Sequence, residues 1–163
     1  VLAGGTWFLT LPLLPMELQN FESPVLSDEL EAARFTAALP YPQRALLLPG
    51  PRTFAELNSA DGDGMHKYAV TFGRLQVPMG FDNLGHREDY VDAYARAQGT
   101  LDPDALEQLQ VNLVYVAMDH LSREQAELIE AAVAGGTLRP VFASSNDVRR
   151  LYATASGADD VAP

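Results

Sequence analysis

Residues 111–143, VNLVYVAMDHLSREQAELIEAAVAGGTLRPVFA, carry the clearest pattern of secondary structure in the chain. This stretch opens with Val111 to Met118, a run rich in β-branched residues that predicts a strand. Ser122 to Gln125 (SREQ) then predicts a capping box, in which the two side chains satisfy each other's backbone amides at a helix start. The helix is predicted to end near Ala134, before Gly135-Gly136, and Leu138 to Ala143 is predicted to be the next strand. This order indicates a strand–helix–strand unit.

Further elements extend this unit in both directions. Val148 to Tyr152 predicts a strand that forms a hairpin with Leu138 to Ala143. Upstream, two strands are predicted, at Ala45 to Leu48 and at Tyr68 to Phe72. Three helices are also predicted: one capped by Ser27 and ending near Leu39, one over His86 to Ala97, and one over Pro103 to Leu109. Strands that alternate with helices predict an α/β fold with a mostly parallel central sheet, flanking helices and a C-terminal antiparallel hairpin.

The chain divides into an arm, one domain and a tail. Residues 1–26 are predicted to be an extended apolar arm, because Pro12 and Pro15 interrupt any helix there. The arm is interpreted either as a buried strand with an extended segment or as the outer end of a transmembrane helix, with Trp7 and Phe8 at interfacial depth. Residues 27–154 are predicted to form a single α/β domain, and residues 155–163 a frayed tail.

Charge and composition exclude several classes of function. The net charge is −11, and the closest approach to a basic cluster is Arg149-Arg150, interpreted as two outward-facing strand or turn residues. Because a phosphate backbone requires clustered Lys and Arg, no nucleic-acid partner is expected. The chain has no cysteine, which excludes thiol catalysis, disulfides and thiolate metal sites.

No cofactor or metal is predicted. Pro49 to Arg52 lacks the lysine and free amides of a phosphate-binding loop, and no nucleophile-elbow motif is present. Ser59 to Gly64 has the oxygen pattern of a calcium loop, but Val70 occupies the position of its essential glutamate. The histidines, His66, His86 and His120, show no i, i+4 spacing typical of a helix-borne zinc site.

Two groups of residues are candidate sites. Asp119 and His120 follow the strand at Val111 to Met118, and ligands gather at the carboxyl ends of strands in α/β sheets, so these two are candidate catalytic residues. Their alternative role is to form a turn that assists the next helix. The second group could line a pocket for a sugar or peptide, or pin a loop to the core; its members are Phe81, Asp82, Asn83, Tyr90 and Tyr94.

Several segments resemble the C-terminal extracytoplasmic domain of bacterial polytopic membrane glycosyltransferase-like proteins, the GT-C-like and YfhO-like groups. The segments are Trp7 to Pro15, Leu39 to Pro49, Leu109 to Val116, and Leu138 to Phe142 with Val148 to Tyr152. The catalytic carboxylates of that family lie in its membrane portion, so the resemblance assigns no catalytic residue to this chain.

The resemblance implies a non-catalytic domain of a larger protein on the extracytoplasmic face of a bacterial membrane. Its partners would be a glycan or lipid-linked sugar and the remainder of its own membrane-embedded chain, with membrane contact only through a missing N-terminal region. Two alternatives stay open: a stand-alone, metal-assisted hydrolase at Asp119-His120, and a soluble interaction module that uses a sheet edge or the apolar arm. A cytoplasmic location is the alternative for the compartment.

Overall fold

The computed structural model describes residues 25–40, 43–50, 74–78 and 88–157. The helices are α1 (Val25–Ala38), α2 (Glu88–Thr100), α3 (Pro103–Gln108) and α4 (Arg123–Ala134), and the strands are β1 (Ala45–Leu48), β2 (Leu113–Ala117), β3 (Leu138–Ala143) and β4 (Arg149–Thr154). Short 3-10 turns follow β2 (Met118–His120) and β4 (Ala155–Gly157). The predicted strand at Tyr68 to Phe72 and the calcium-like loop at Ser59 to Gly64 lie outside the described residues.

The described strands form one mixed sheet in the order β1-β2-β4-β3. β1 and β2 are parallel, and the chain between them includes α2 and α3, as a parallel crossover requires. β4 pairs antiparallel with both β2 and β3. The α/β class is therefore confirmed, and the described sheet is mixed rather than mostly parallel, since one pairing is parallel and two are antiparallel. The predicted hairpin forms one edge of this sheet and is joined to β2 through β4.

The two faces of the sheet are covered by different helices. Because side chains alternate along a strand, the fully buried run of β2 supplies both faces at once. On one face, which we call the α1 face, Leu47, Tyr115 and Leu151 pack together with Ala32 of α1. On the opposite face, which we call the three-helix face, residues of β1, β2 and β4 pack against α2, α3 and α4.

The helix starts show one confirmed and one wrong prediction. The capping box at α4 is confirmed: the Gln125 amide donates to Ser122 Oγ (3.2 Å), and the Ser122 amide donates to Gln125 Oε1 (3.1 Å). The predicted cap at Ser27 is wrong, because α1 already begins at Val25 and Ser27 lies within its first turn. Asp28 and Glu29 are consequently inside the helix, and both are buried.

An irregularity in β3 decides which side chain reaches α1. The register between β3 and β4 shifts between Pro140 and Phe142, so that Val141 is an extra residue. The shift turns Phe142 onto the α1 face, where its ring stacks on Phe35 with centroids 4.9 Å apart. The bulge therefore couples the outer strand to the helix that covers this face.

Candidate functional site around a buried arginine

Arg149, the first residue of β4, is completely buried. The prediction that Arg149 and Arg150 both face outward is wrong for Arg149. In the alternation of β4, Arg149 belongs to the same row as Leu151, which packs on the α1 face. Arg150 points the other way, is half-buried and pairs with Asp147 in the hairpin turn.

The Arg149 guanidinium is neutralised from two different elements. Its Nη1 donates to Asp119 Oδ1 at 2.6 Å, and Asp119 follows β2 in the 3-10 turn. This contact is possible because Ala117, the last residue of β2, is paired directly with Arg149 in the sheet. On the other side, Nη2 lies 3.9 Å from Oε1 of Glu29, a buried residue of α1. A buried charge requires such partners, because it has lost its hydration.

Tyr115 of β2 belongs to the same cluster. Its side chain lies on the α1 face and is fully buried. Burial raises the pKa of the Tyr115 hydroxyl above its usual value, and the negative charge of Glu29 raises this pKa further. The positive charge of Arg149 opposes the increase. We call Arg149, Asp119, Glu29 and Tyr115 the buried ionic cluster.

The first two turns of α1 also hold the hairpin turn through polar contacts. Asp28 Oδ2 accepts a hydrogen bond from Asn146 Nδ2 at 2.6 Å. Glu31 accepts from both the amide and the hydroxyl of Ser145, at 2.8 and 3.0 Å. The carboxylates of α1 therefore join the helix to the turn that immediately precedes Arg149.

The two candidate catalytic residues are in contact with each other. His120 Nε2 lies 3.4 Å from Asp119 Oδ2, and both side chains are 38% exposed. The other three members of the buried ionic cluster were not among the predicted site residues. The signal that could have revealed Arg149 is its even spacing from Leu151, since both belong to one face of a strand. No comparable signal connects Glu29, which lies far away along the chain.

The candidate sugar-binding residues divide into two parts. Phe81, Asp82 and Asn83 lie outside the described residues. Tyr94 is buried in the core of the three-helix face, and its hydroxyl accepts a hydrogen bond from Gln98 Nε2 at 3.2 Å. Tyr90 is half-buried against the same core, and its hydroxyl accepts from Arg44 Nη2 at 3.2 Å. The ring of Tyr94 is therefore covered by protein.

The part of the chain that the structure describes has neither a metal-binding cluster nor a membrane-spanning helix. No group of three or more His, Asp or Glu residues there could hold a metal ion; His66 and His86 lie outside that part. None of the described helices has the length and apolar character needed to cross a membrane.

Comparisons of the chain with protein-family models, with curated proteins and with solved structures found no match. Asp119 uses one carboxylate oxygen for Arg149 and directs the other toward His120. The nearby hydroxyls of Ser144 and Ser145 are engaged with the Arg149 amide and with Glu31, respectively. The described geometry is that of an ion-pair network that joins α1, β2 and β4.

We expect Asp119→Asn to lower the free energy of unfolding by about 2 kcal/mol, because Arg149 stays buried while losing an anionic partner. This value is below the usual cost of breaking a fully buried pair, since Asp119 retains contact with solvent. Urea denaturation measures the change. Asp147→Asn is the matched control, because it makes the same replacement in the exposed pair with Arg150 and should leave the midpoint nearly unchanged. Equal losses for the two variants would contradict the proposed importance of burial.

Two buried tyrosines should titrate late in alkali. Burial raises the pKa of Tyr94 to about 12, although the hydrogen bond from Gln98 lowers this pKa. Burial also raises the pKa of Tyr115 above its usual value. Their stabilising contribution is complete below the ordinary tyrosine pKa and is lost as pH rises through the folded-state value. Ultraviolet titration of phenolate absorbance, compared with Tyr94→Phe, measures this. If the folded protein ionised all its tyrosines near the ordinary value, the burial argument would fail.

Proposed function

We propose that the chain is a non-catalytic α/β domain of a larger protein on the extracytoplasmic face of a bacterial membrane, where it assists the handling of a glycan or lipid-linked sugar. The observation that carries the non-catalytic part is the contact between Arg149 Nη1 and Asp119 Oδ1 at 2.6 Å. The carboxylate that the sequence offers for catalysis neutralises a wholly buried guanidinium.

The geometry of Asp119 supports a structural role over a catalytic one. A general base must lie within hydrogen-bond reach of the proton that it removes. One oxygen of Asp119 is held by Arg149, and the other faces His120 at 3.4 Å. Charge-assisted contacts of this kind fix a side chain in place, and this one joins the end of β2 to the start of β4. The pair therefore supports the sheet edge.

The resemblance described above supports the extracytoplasmic placement. Of the segments that carry it, residues 109–116 include most of β2, and residues 138–142 and 148–152 lie in the β3–β4 hairpin. The partners proposed for the domain are consequently the membrane-embedded remainder of its own chain and a glycan. The net charge of −11 disfavours nucleic acid and anionic lipid surfaces as partners.

Topology reporters test the proposed placement in the full-length gene product. An alkaline phosphatase fused after Pro163 should be active, because this enzyme requires export. A green fluorescent protein fused at the same residue and exported by the same route should be dark. Immunoblots of both fusions control for expression. A bright fluorescent fusion with an inactive phosphatase fusion would place the domain in the cytoplasm and overturn the placement.

A second candidate function, a metal-assisted hydrolase, is favoured by one observation, the contact between Asp119 and His120 at the end of β2. It predicts that zinc raises the melting temperature and that His120→Ala removes the increase. The proposed non-catalytic function predicts no difference in zinc response between His120→Ala and the parent protein. Thermal denaturation of both proteins with and without zinc distinguishes the two functions. Arg123→Ala serves as the control, because it replaces an exposed residue at the same end of the sheet.

A further inference from the structure

We propose that a trough that runs along β3, from the hairpin to α4, seats an apolar segment of this same chain, Trp7 to Met16. The trough consists of two adjoining depressions of 360 and 440 Å³, which share Pro140, Arg150 and Tyr152. The first depression lies against α4 and the second against the hairpin. Each volume is within the range of pockets that hold small ligands or a few side chains.

The first depression is mainly apolar. It is formed where α4 meets the strands, and its apolar lining includes Met118, Ile129, Val133, Pro140 and Tyr152. Pro140 and Ala134 are exposed, and Val133 and Met118 are only half-buried. The floor of the trough is therefore apolar surface of β3 and β4 that α4 covers incompletely.

The edge of β3 beside the trough is unsuited to pairing with another strand. Pro140 has no amide hydrogen to donate, and the extra residue Val141 interrupts the ladder. Such features discourage edge-to-edge association of sheets. An occupant of the trough is therefore expected to bind through its side chains, and an extended apolar segment suits this requirement.

The position of α1 indicates which segment reaches the trough. The first two turns of α1 are bound to the hairpin turn through Asp28 and Glu31, so the start of α1 lies at the hairpin. The second depression begins there, and its lining includes Phe142, whose ring stacks on Phe35 of α1. The trough thus starts beside α1 and leads around β3 toward α4.

The length and composition of the preceding chain fit this path. Residues 17–24 separate Met16 from α1, and these eight residues can span up to about 27 Å when extended. Residues 7–16, WFLTLPLLPM, carry no charge, and Pro12 and Pro15 disfavour a helix. Burial of several large apolar side chains in the trough would stabilise the docked segment.

Disulfide trapping tests the docking in the full chain, which contains no cysteine of its own. In the first double variant, Leu13→Cys is combined with Ala134→Cys, because Ala134 lines the trough. In the matched control, Leu13→Cys is combined with Ala131→Cys, because Ala131 is an exposed residue of the same helix that is not among the lining residues. Docking raises the effective concentration of the two thiols, so we expect on the order of tenfold more intramolecular disulfide with Ala134→Cys. Non-reducing electrophoresis of the monomer measures the yields.

A second variant distinguishes docking from chance collision. Pro140→Asp places a charge on the floor of the trough at an exposed residue, so the fold should tolerate it, as circular dichroism can verify. It should abolish the preference for Ala134→Cys and shift the emission of Trp7, the only tryptophan, to longer wavelength. The proposal would be overturned by equal disulfide yields in the two cysteine pairs. It would also be overturned by a disulfide found only in dimers, which would indicate that the segment comes from a second copy of the chain.

Discussion

The burial of the Arg149 guanidinium is the constraint on which the α1 face of the sheet depends. A cation without solvent is costly unless carboxylates surround it, and these come here from the turn after β2 and from α1. Asp119 can reach Arg149 only when β2 and β4 are paired in the observed register. Glu29 can reach it only when α1 lies across the same face. One charge therefore requires three elements to be in place together.

The contacts between α1 and the hairpin turn reinforce this arrangement. Asp28 and Glu31 bind Asn146 and Ser145, while the stacked rings of Phe35 and Phe142 lie farther along the helix. The helix is thus joined to the hairpin by polar contacts in its first two turns and by apolar packing in its third turn. The same contacts place the start of α1 beside the hairpin turn.

Prediction from sequence succeeded where the signal is local. The capping box at Ser122 and Gln125 requires only residues three apart, and the structure confirms it. The strands and helices of the C-terminal third also follow from residue type and spacing, although their ends differ by one or two residues. Ser27 was misassigned because a serine followed by acidic residues resembles a cap, whereas the carboxylates at Asp28 and Glu29 actually serve contacts with distant residues.

The α/β class, the hairpin and the neighbouring pair Asp119-His120 can be inferred without coordinates, because each depends on residues close together in the chain. The contact of Asp119 with Arg149 and the position of β4 between β2 and β3 are visible only in the folded protein. An arginine at the start of a strand looks solvent-facing unless its anionic partners are known. Glu29 is 120 residues from Arg149 along the chain, so folding alone brings the two charges together.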